Sequence, residues 1–371
     1  MKKSIIAVSL TMALALVLAA CGDSSNSTSK TYTPTYVVGV DAIAGNNVEI
    51  FSINQSSNAL NAINGSPYSF GLTEPDGSIV THPNGKWVYI CDWQSSNLVA
   101  LSIDQNAGTP TQINSTTDSG ACFWTGSLTI TPAGKYVYTA DNNLNTTAFS
   151  VDSTAGGLTK IGSVPTANAG QTMFVVTATD NYVYAADHNN DVYIMKIGSD
   201  GSLGAPTAFT ISGASHIESL QVDRSGKFLY VSGLNATAAA YGFFGFSIAS
   251  DGSLTSVGSP VTPASLQSVG QMVFSGDNKF MYAADSLAGV RGFSFNSSSG
   301  VITELAGSPF YTTNKQSNSV ALDPTGKFLF ADDYCTSIYS WARDSATGEL
   351  SNGTLNATAG KNICQLTVMF K

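Results

Sequence analysis

A short triplet of aromatic and β-branched residues returns along the chain at a nearly constant distance, and that spacing limits what the chain can fold into. The copies are Trp87-Val88-Tyr89, Tyr136-Val137-Tyr138, Tyr182-Val183-Tyr184, Phe228-Leu229-Tyr230, Phe280-Met281-Tyr282 and Phe328-Leu329-Phe330, with a degenerate first copy at Tyr36-Val37-Val38. Their third residues fall at 38, 89, 138, 184, 230, 282 and 330, giving steps of 51, 49, 46, 46, 52 and 48 residues. A period in the range of roughly 40–50 residues belongs to propeller blades, and β-branched and aromatic side chains suit a strand packed between neighbouring sheets. Seven copies predict seven blades in an all-β chain.

Four residues before each of the last six third positions stands Gly85, Gly134, Asp180, Gly226, Asn278 or Gly326. These residue types best tolerate positive φ, so each copy reads as strand, tight turn with a left-handed residue, strand. Pro83, Pro132 and Pro324 fit the preceding turn position. A further strand follows each triplet (Leu98 to Ile103, Thr147 to Val151, Val192 to Ile197, Phe243 to Ile248, Val290 to Phe295, Ser337 to Trp341), and each leads into a turn carrying Gly108, Gly156, Gly201, Gly252, Gly300 or Gly348. Four antiparallel strands per blade are thereby accounted for. The N-terminal end supplies three strands and the C-terminal end one, Gln365 to Phe370. Together they predict one blade built from both ends, which removes the open sheet edges of the ring.

Upstream of the repeats, Met1-Lys2-Lys3 is basic, Ser4 to Val17 is apolar, and Leu18-Ala19-Ala20 places small residues before Cys21. The pattern resembles a bacterial lipoprotein signal: residues 1–20 removed on export, Cys21 lipidated, and residues 21–34, rich in Ser and Thr, a tether ahead of a propeller over 35–371. The apolar run is too short for a transmembrane helix. The whole chain has a formal charge of −9, and loss of Lys2 and Lys3 makes it −11. Nucleic acid is excluded as a partner on that charge.

The combination Pro-x-Gly-Lys-x-Val-Tyr-x-Ala-Asp at Pro132 to Asp141, followed by Phe149-Ser150-Val151-Asp152 and a Gly turn, resembles the lactonase-type seven-bladed propellers related to bacterial 6-phosphogluconolactonase. The resemblance spans about residues 35–371 and implies a lactone-hydrolysing fold whose catalytic groups are an Arg, a His and a Glu. In register through Gly226-Lys227, those positions fall on Glu218, Ser219 and Leu234, and none carries the family residue. An exported protein would not meet a cytosolic phosphate ester. The leading expectation is therefore an extracytoplasmic propeller that binds a glycan, small molecule or protein partner through its top face. The alternative is a hydrolase of a sugar lactone or other lactone with a divergent site.

On that face, where the loops after the second strands and those joining blades emerge, His188 follows blade four's second strand and His216 leads into blade five. Glu218 lies two residues on, on the same side of an extended segment. These three are the catalytic candidates, with Asp187 and Asp191 close by. Trp93 and the Phe123-Trp124 pair could stack on a sugar ring, and Gln316 leads into blade seven as His216 does into blade five. The blade-five segment Gly233 to Gly242 reads as a long loop. Asp41, Asp92, Asp141, Asp187, Asp285 and Asp333 recur after the second strand, with Gly233 as the exception. The ring invites a divalent cation; the competing reading is that each carboxylate caps its own loop, and no other cofactor is expected.

Four cysteines remain after Cys21, and disulfides persist in exported proteins. Blade positions favour Cys91 with Cys122 and Cys335 with Cys364, each joining the top of one blade to the lead-in of the next. Four buried free thiols are the other reading.

Overall fold

In the computed structural model, residues 34–371 are described apart from 42–44, 74–77, 118–126, 142, 167–172, 315 and 357–361. Among the described residues every regular element is a strand, and the strands form seven four-stranded antiparallel sheets. Cys21, Cys122, Phe123 and Trp124 lie outside the described residues, as do the signal and most of the tether.

Each sheet is one blade, and six of the seven expected triplets begin a second strand: Trp87–Asp92, Tyr136–Ala140, Tyr182–Asp187, Phe228–Asn235, Phe280–Asp285 and Phe328–Asp332; the degenerate Tyr36-Val37-Val38 lies within Pro34–Asp41. Blade one is built from both ends of the chain. Ile363–Phe370 is its innermost strand and pairs antiparallel with Pro34–Asp41, followed outward by Asn47–Ile53 and Leu60–Ala62. The innermost strands of successive blades touch all the way round, including Ile363–Phe370 with its neighbours in blades seven and two.

What joins one blade to the next is written in the triplet. Its first aromatic ring packs against the third-to-fourth-strand turn of the following blade, and its third residue donates a phenolic hydrogen bond to the same turn. Tyr138 Oη donates to the Gly201 carbonyl at 3.0 Å, Tyr184 to Gly252 at 3.0 Å and Tyr282 to Gly348 at 2.6 Å; Tyr89 and Tyr230 do the same to Gly156 and Gly300. Burial holds all five phenols well above their ordinary pKa, so they remain donors. A Cβ at Gly201 would stand 2.3 Å from the Tyr136 ring and one at Gly252 2.5 Å from Tyr182, and both glycines have positive φ. These turns need glycine twice over, for backbone conformation and for the ring lying on it.

Two local expectations are corrected. Asp180 does not take the left-handed conformation that Gly85, Gly134, Gly226, Asn278 and Gly326 adopt. Its turn is shorter: Thr179 N–H reaches the Tyr182 carbonyl directly, and Thr179 Oγ1 accepts from Asn181 and Tyr182, so no residue need reverse its φ. The segment Gly233 to Gly242 is not a long loop. Strands Phe228–Asn235 and Ala240–Ile248 stay paired through Gly233↔Gly242, Leu234↔Tyr241 and Asn235↔Ala240, leaving residues 236–239 as the turn.

Cys335 and Cys364 form a disulfide with Cα atoms 4.2 Å apart. It ties the top loop of blade seven to the inner strand of blade one, across the closure of the ring. A cross-link over 29 residues adds roughly 3–4 kcal/mol in loop-entropy terms. Cys91 is also disulfide-bonded, although its expected partner, Cys122, is not among the described residues.

Candidate functional site

The top face repeats one loop device. The Asp after the second strand turns its carboxylate onto neighbouring N–H groups: Asp141 Oδ1 accepts from Asn143 and Asn145, Asp187 Oδ1 from Asn189 and Asp191, Asp285 Oδ1 from Leu287, and Asp333 Oδ1 from Asn314. Asp92 likewise takes the N–H and hydroxyl of Thr73. These five carboxylates are loop caps, and no three metal-ligating side chains converge among the described residues.

Blade five breaks this pattern at Gly233. Its inner strand, Ala214–Val222, carries irregularities between Ser215 and Ile217 and between Ile217 and Ser219, and His216 sits in it at φ 56°. A Cβ at position 233 would lie 3.1 Å from the His216 carbonyl oxygen and 3.2 Å from the Ile217 Cα. The space an Asp side chain occupies in other blades is filled here by the bulged backbone that presents His216. Bulges re-aim side chains in this way.

The bulge brings the three catalytic candidates together. His216 Nε2 lies 3.1 Å from Glu218 Oε1, and the His188 and His216 ring centroids are 3.6 Å apart. Ser268 Oγ, at the corresponding position one blade on, donates to Glu218 Oε2 at 3.0 Å. The Tyr241 ring stands edge-on to His216 at 6.4 Å. Asp187 is fully buried, and its caps on Asn189 and Asp191, with the Tyr193 hydroxyl at 3.3 Å, fix the loop that carries His188.

Electrostatics assign states to these groups. Burial, and next the repulsion that a proton on His216 would bring, push His188 below the ordinary imidazole value, against a backbone bond to Ile217 that raises it; His188 is neutral at pH 7. Burial pushes Glu218 up, offset in part by the Ser268 hydrogen bond and by His216. Burial and then the Glu218 charge hold the Tyr241 phenol above its ordinary value, keeping it a donor. Burial likewise raises Asp187, although its N–H partners pull the other way.

The remaining ligand candidates are elsewhere. Asp191 Oδ1 accepts the Thr210 hydroxyl at 2.6 Å, on the outer side of blade four. Gln316 holds a backbone turn, accepting the Tyr334 N–H through its carbonyl at 3.1 Å. Trp93 is half-buried in the top loop of blade two, away from the blade-four and blade-five cluster. His82 is buried between the Gly134 carbonyl and the Asn84 N–H on the opposite face. Sequence reading missed Tyr241, because the extended hairpin that carries it looks like a loop, and gave no role to Ser268, which stands one blade on from His216 in the repeat.

A family-wide model described as "Lactonase, 7-bladed beta-propeller" matches residues 125–362, and the chain belongs to that family. Among solved structures it is similar over its length to a Bacteroides fragilis protein provisionally called a 6-phosphogluconolactonase, with 20% identity, 92% of this chain and 99% of that chain covered, and a TM-score of 0.72. The periplasmic gluconolactonase PpgL of Pseudomonas aeruginosa aligns with 14% identity over 91% of this chain and 99% of its own at a TM-score of 0.73. A Lactobacillus plantarum protein aligns with 16% identity over 91% and 100% at 0.73. Such identities speak for the fold alone. No curated protein sequence matches the chain.

Proposed function

We propose that this protein is an extracytoplasmic hydrolase of an unphosphorylated lactone, working at the top of blades four and five. One observation carries the reading: an imidazole oriented by a carboxylate, His216 on Glu218, beside a second imidazole and a phenol, on the face where propellers take ligands. This arrangement favours the hydrolase over the plain binding module expected first. A carboxylate only accepts, so Nε2 carries the proton and Nδ1 is left as the base. His216 Nδ1 takes a proton from water as the water oxygen bonds to the lactone carbonyl carbon. The Tyr241 hydroxyl donates to the developing oxyanion. When the ring C–O bond breaks, the leaving alkoxide takes the proton back from His216, giving the hydroxy acid.

The substrate class follows from where the positive charge lies. Lys86, Lys135, Lys227, Lys279 and Lys327 all occupy the turns between inner and second strands, at the opposite ends of the blades, and all are exposed. Arg291, near the top of blade six, is engaged by Asp285 Oδ2 at 2.7 Å, Glu304 Oε1 at 2.9 Å and the Ala264 carbonyl at 2.7 Å. Among the described residues, no cation stands by His216 to hold a phosphate. The test is opening of D-glucono-1,5-lactone and of an N-acyl homoserine lactone by the mature protein, with and without a divalent metal. Turnover above the spontaneous rate of at least one, metal-independent and lost in His216→Ala, is expected; no turnover of either returns the protein to the binding reading.

We also propose export and anchoring through a lipidated Cys21. The disulfides favour an oxidising compartment, and the P. aeruginosa relative is periplasmic by name. Cys21→Ser should move the protein from the membrane to the soluble extracytoplasmic fraction; retention in the membrane argues against the anchor.

A further inference from the structure

Three blades carry the same outer segment, Gly-Ser-Pro followed by an apolar residue that bridges back to the third strand: Gly65-Ser66-Pro67-Tyr68, Gly258-Ser259-Pro260-Val261 and Gly307-Ser308-Pro309-Phe310. The bridges are Val48↔Tyr68, Phe243↔Val261 and Val290↔Phe310. In blades one and six the serine closes the segment onto its sheet. Ser66 Oγ accepts the Ile50 N–H at 3.0 Å and donates to Glu49 at 3.0 Å; Ser308 Oγ accepts the Gly292 N–H at 3.2 Å and donates to Glu304 at 2.9 Å.

Blade five cannot close in this way. Its segment is one residue shorter, since Val257 runs directly into Gly258 where Ile63 and Leu305 are followed by Asn64 and Ala306. Phe244 and Ser256 stand where Glu49 and Glu304 stand in the other two blades. Ser259 consequently points to solvent. Val257 N–H still reaches the Gly245 carbonyl at 2.8 Å, so the Gly245 N–H lies on that same strand edge, in front of the gap.

The gap is a cleft of about 330 Å³ between the outer strand of blade four and the outer half of blade five. Phe209 and Pro260, both half-buried, give it apolar walls, with Phe209 backed edge to face at 5.4 Å by the buried Phe246. Ser212, Ser256 and Ser259 bring exposed hydroxyls to its rim, and no charged side chain lines it. Ligand pockets run from roughly 300 to 1,000 Å³, so this one is sized for a single ring. Aromatic and proline walls, neutral hydroxyls and one backbone donor suit a ring with apolar C–H faces and hydroxyl edges.

We propose that this cleft is a binding site for a neutral monosaccharide unit, separate from the His216 cluster and independent of the lactone reading. The probes are D-glucose and N-acetyl-D-glucosamine, followed by ligand-observed NMR on the folded mature protein. Millimolar-range binding of at least one is expected, weakened about tenfold or more in Phe209→Ala. A second variant rebuilds the blade-six arrangement by combining Ser256→Glu with an alanine inserted between Val257 and Gly258; it should close the cleft and remove binding, with His216→Ala leaving binding unchanged. Binding of neither sugar, or binding that survives Phe209→Ala and disappears in His216→Ala, overturns the proposal.

Discussion

Blades three and five are built on the same plan and differ at one corner. In both, an aromatic triplet opens the second strand, clamps the next blade's turn glycine and runs up to the top face. In blade three that strand leads to Asp141, whose carboxylate caps the loop. In blade five Gly233 stands in its place, and the neighbouring inner strand bulges into the vacated space carrying His216. The scaffold is made by repetition and the candidate site by one break in it. Local consistency marks the parts of a fold that only have to be stable, and departures mark the parts that do something else.

The largest effect on this comparison should come from its shared part. Gly201→Ala and Gly252→Ala drive a Cβ into the Tyr136 and Tyr182 rings at a positive φ, and each should cost about 3 kcal/mol or more in urea unfolding. A loss under about 1 kcal/mol in either would break the claim that the glycines are clamped. Next, Asp141→Ala removes a buried cap from blade three and should cost about 1–3 kcal/mol while lactone turnover is unchanged. A fall in turnover that outlasts correction for folded fraction would show that the regular blades also belong to the site. Smaller still, Tyr138→Phe and Tyr184→Phe each delete one inter-blade hydrogen bond and should cost about 1 kcal/mol apiece; markedly unequal values would mean that the clamps are not equivalent.

The smallest effect is a pH dependence confined to the irregular region. His188 has a native pKa depressed below the ordinary imidazole value, chiefly by burial. The unfolded chain therefore takes up a proton that the native state resists, and stability from this group is fully present above about 6.5 and lost as pH falls through the native value. The stability difference between wild type and His188→Gln should shift against the wild type from pH 7.5 to pH 5. A difference that is flat over this window would contradict a half-buried neutral imidazole.

The blade count and the both-ends closure could be read from the chain because they rest on local signals: strand composition, turn residues that tolerate positive φ, and their period. The grouping of His188, His216 and Glu218 was readable for the same reason, since register places them on adjacent blades at one end. Asp180 misled because residue type alone does not say how long a turn is, and here Thr179 pairs directly with Tyr182. Tyr241 stayed hidden because the Ala-rich run 236–240 looks like loop sequence, while cross-strand pairing carries the hairpin through to Asn235↔Ala240. The absence of Asp at position 233 was visible, but its reason is the close approach of the His216 and Ile217 backbone, a non-local contact that residue type does not reveal.

Gly233 makes room for the His216–Glu218 pair, and the direct test is kcat/KM for lactone opening in Gly233→Asp beside Glu218→Gln. Restoring the repeat at 233 puts a side chain into the His216 and Ile217 backbone, and Glu218→Gln takes the charge from His216 while leaving a side chain for Ser268. The predicted result is a folded protein in both cases with kcat/KM lowered at least a hundredfold, in line with the roughly 10²–10⁴-fold worth of general base catalysis. Turnover within about twofold of wild type in both folded variants would place the chemistry elsewhere on the propeller.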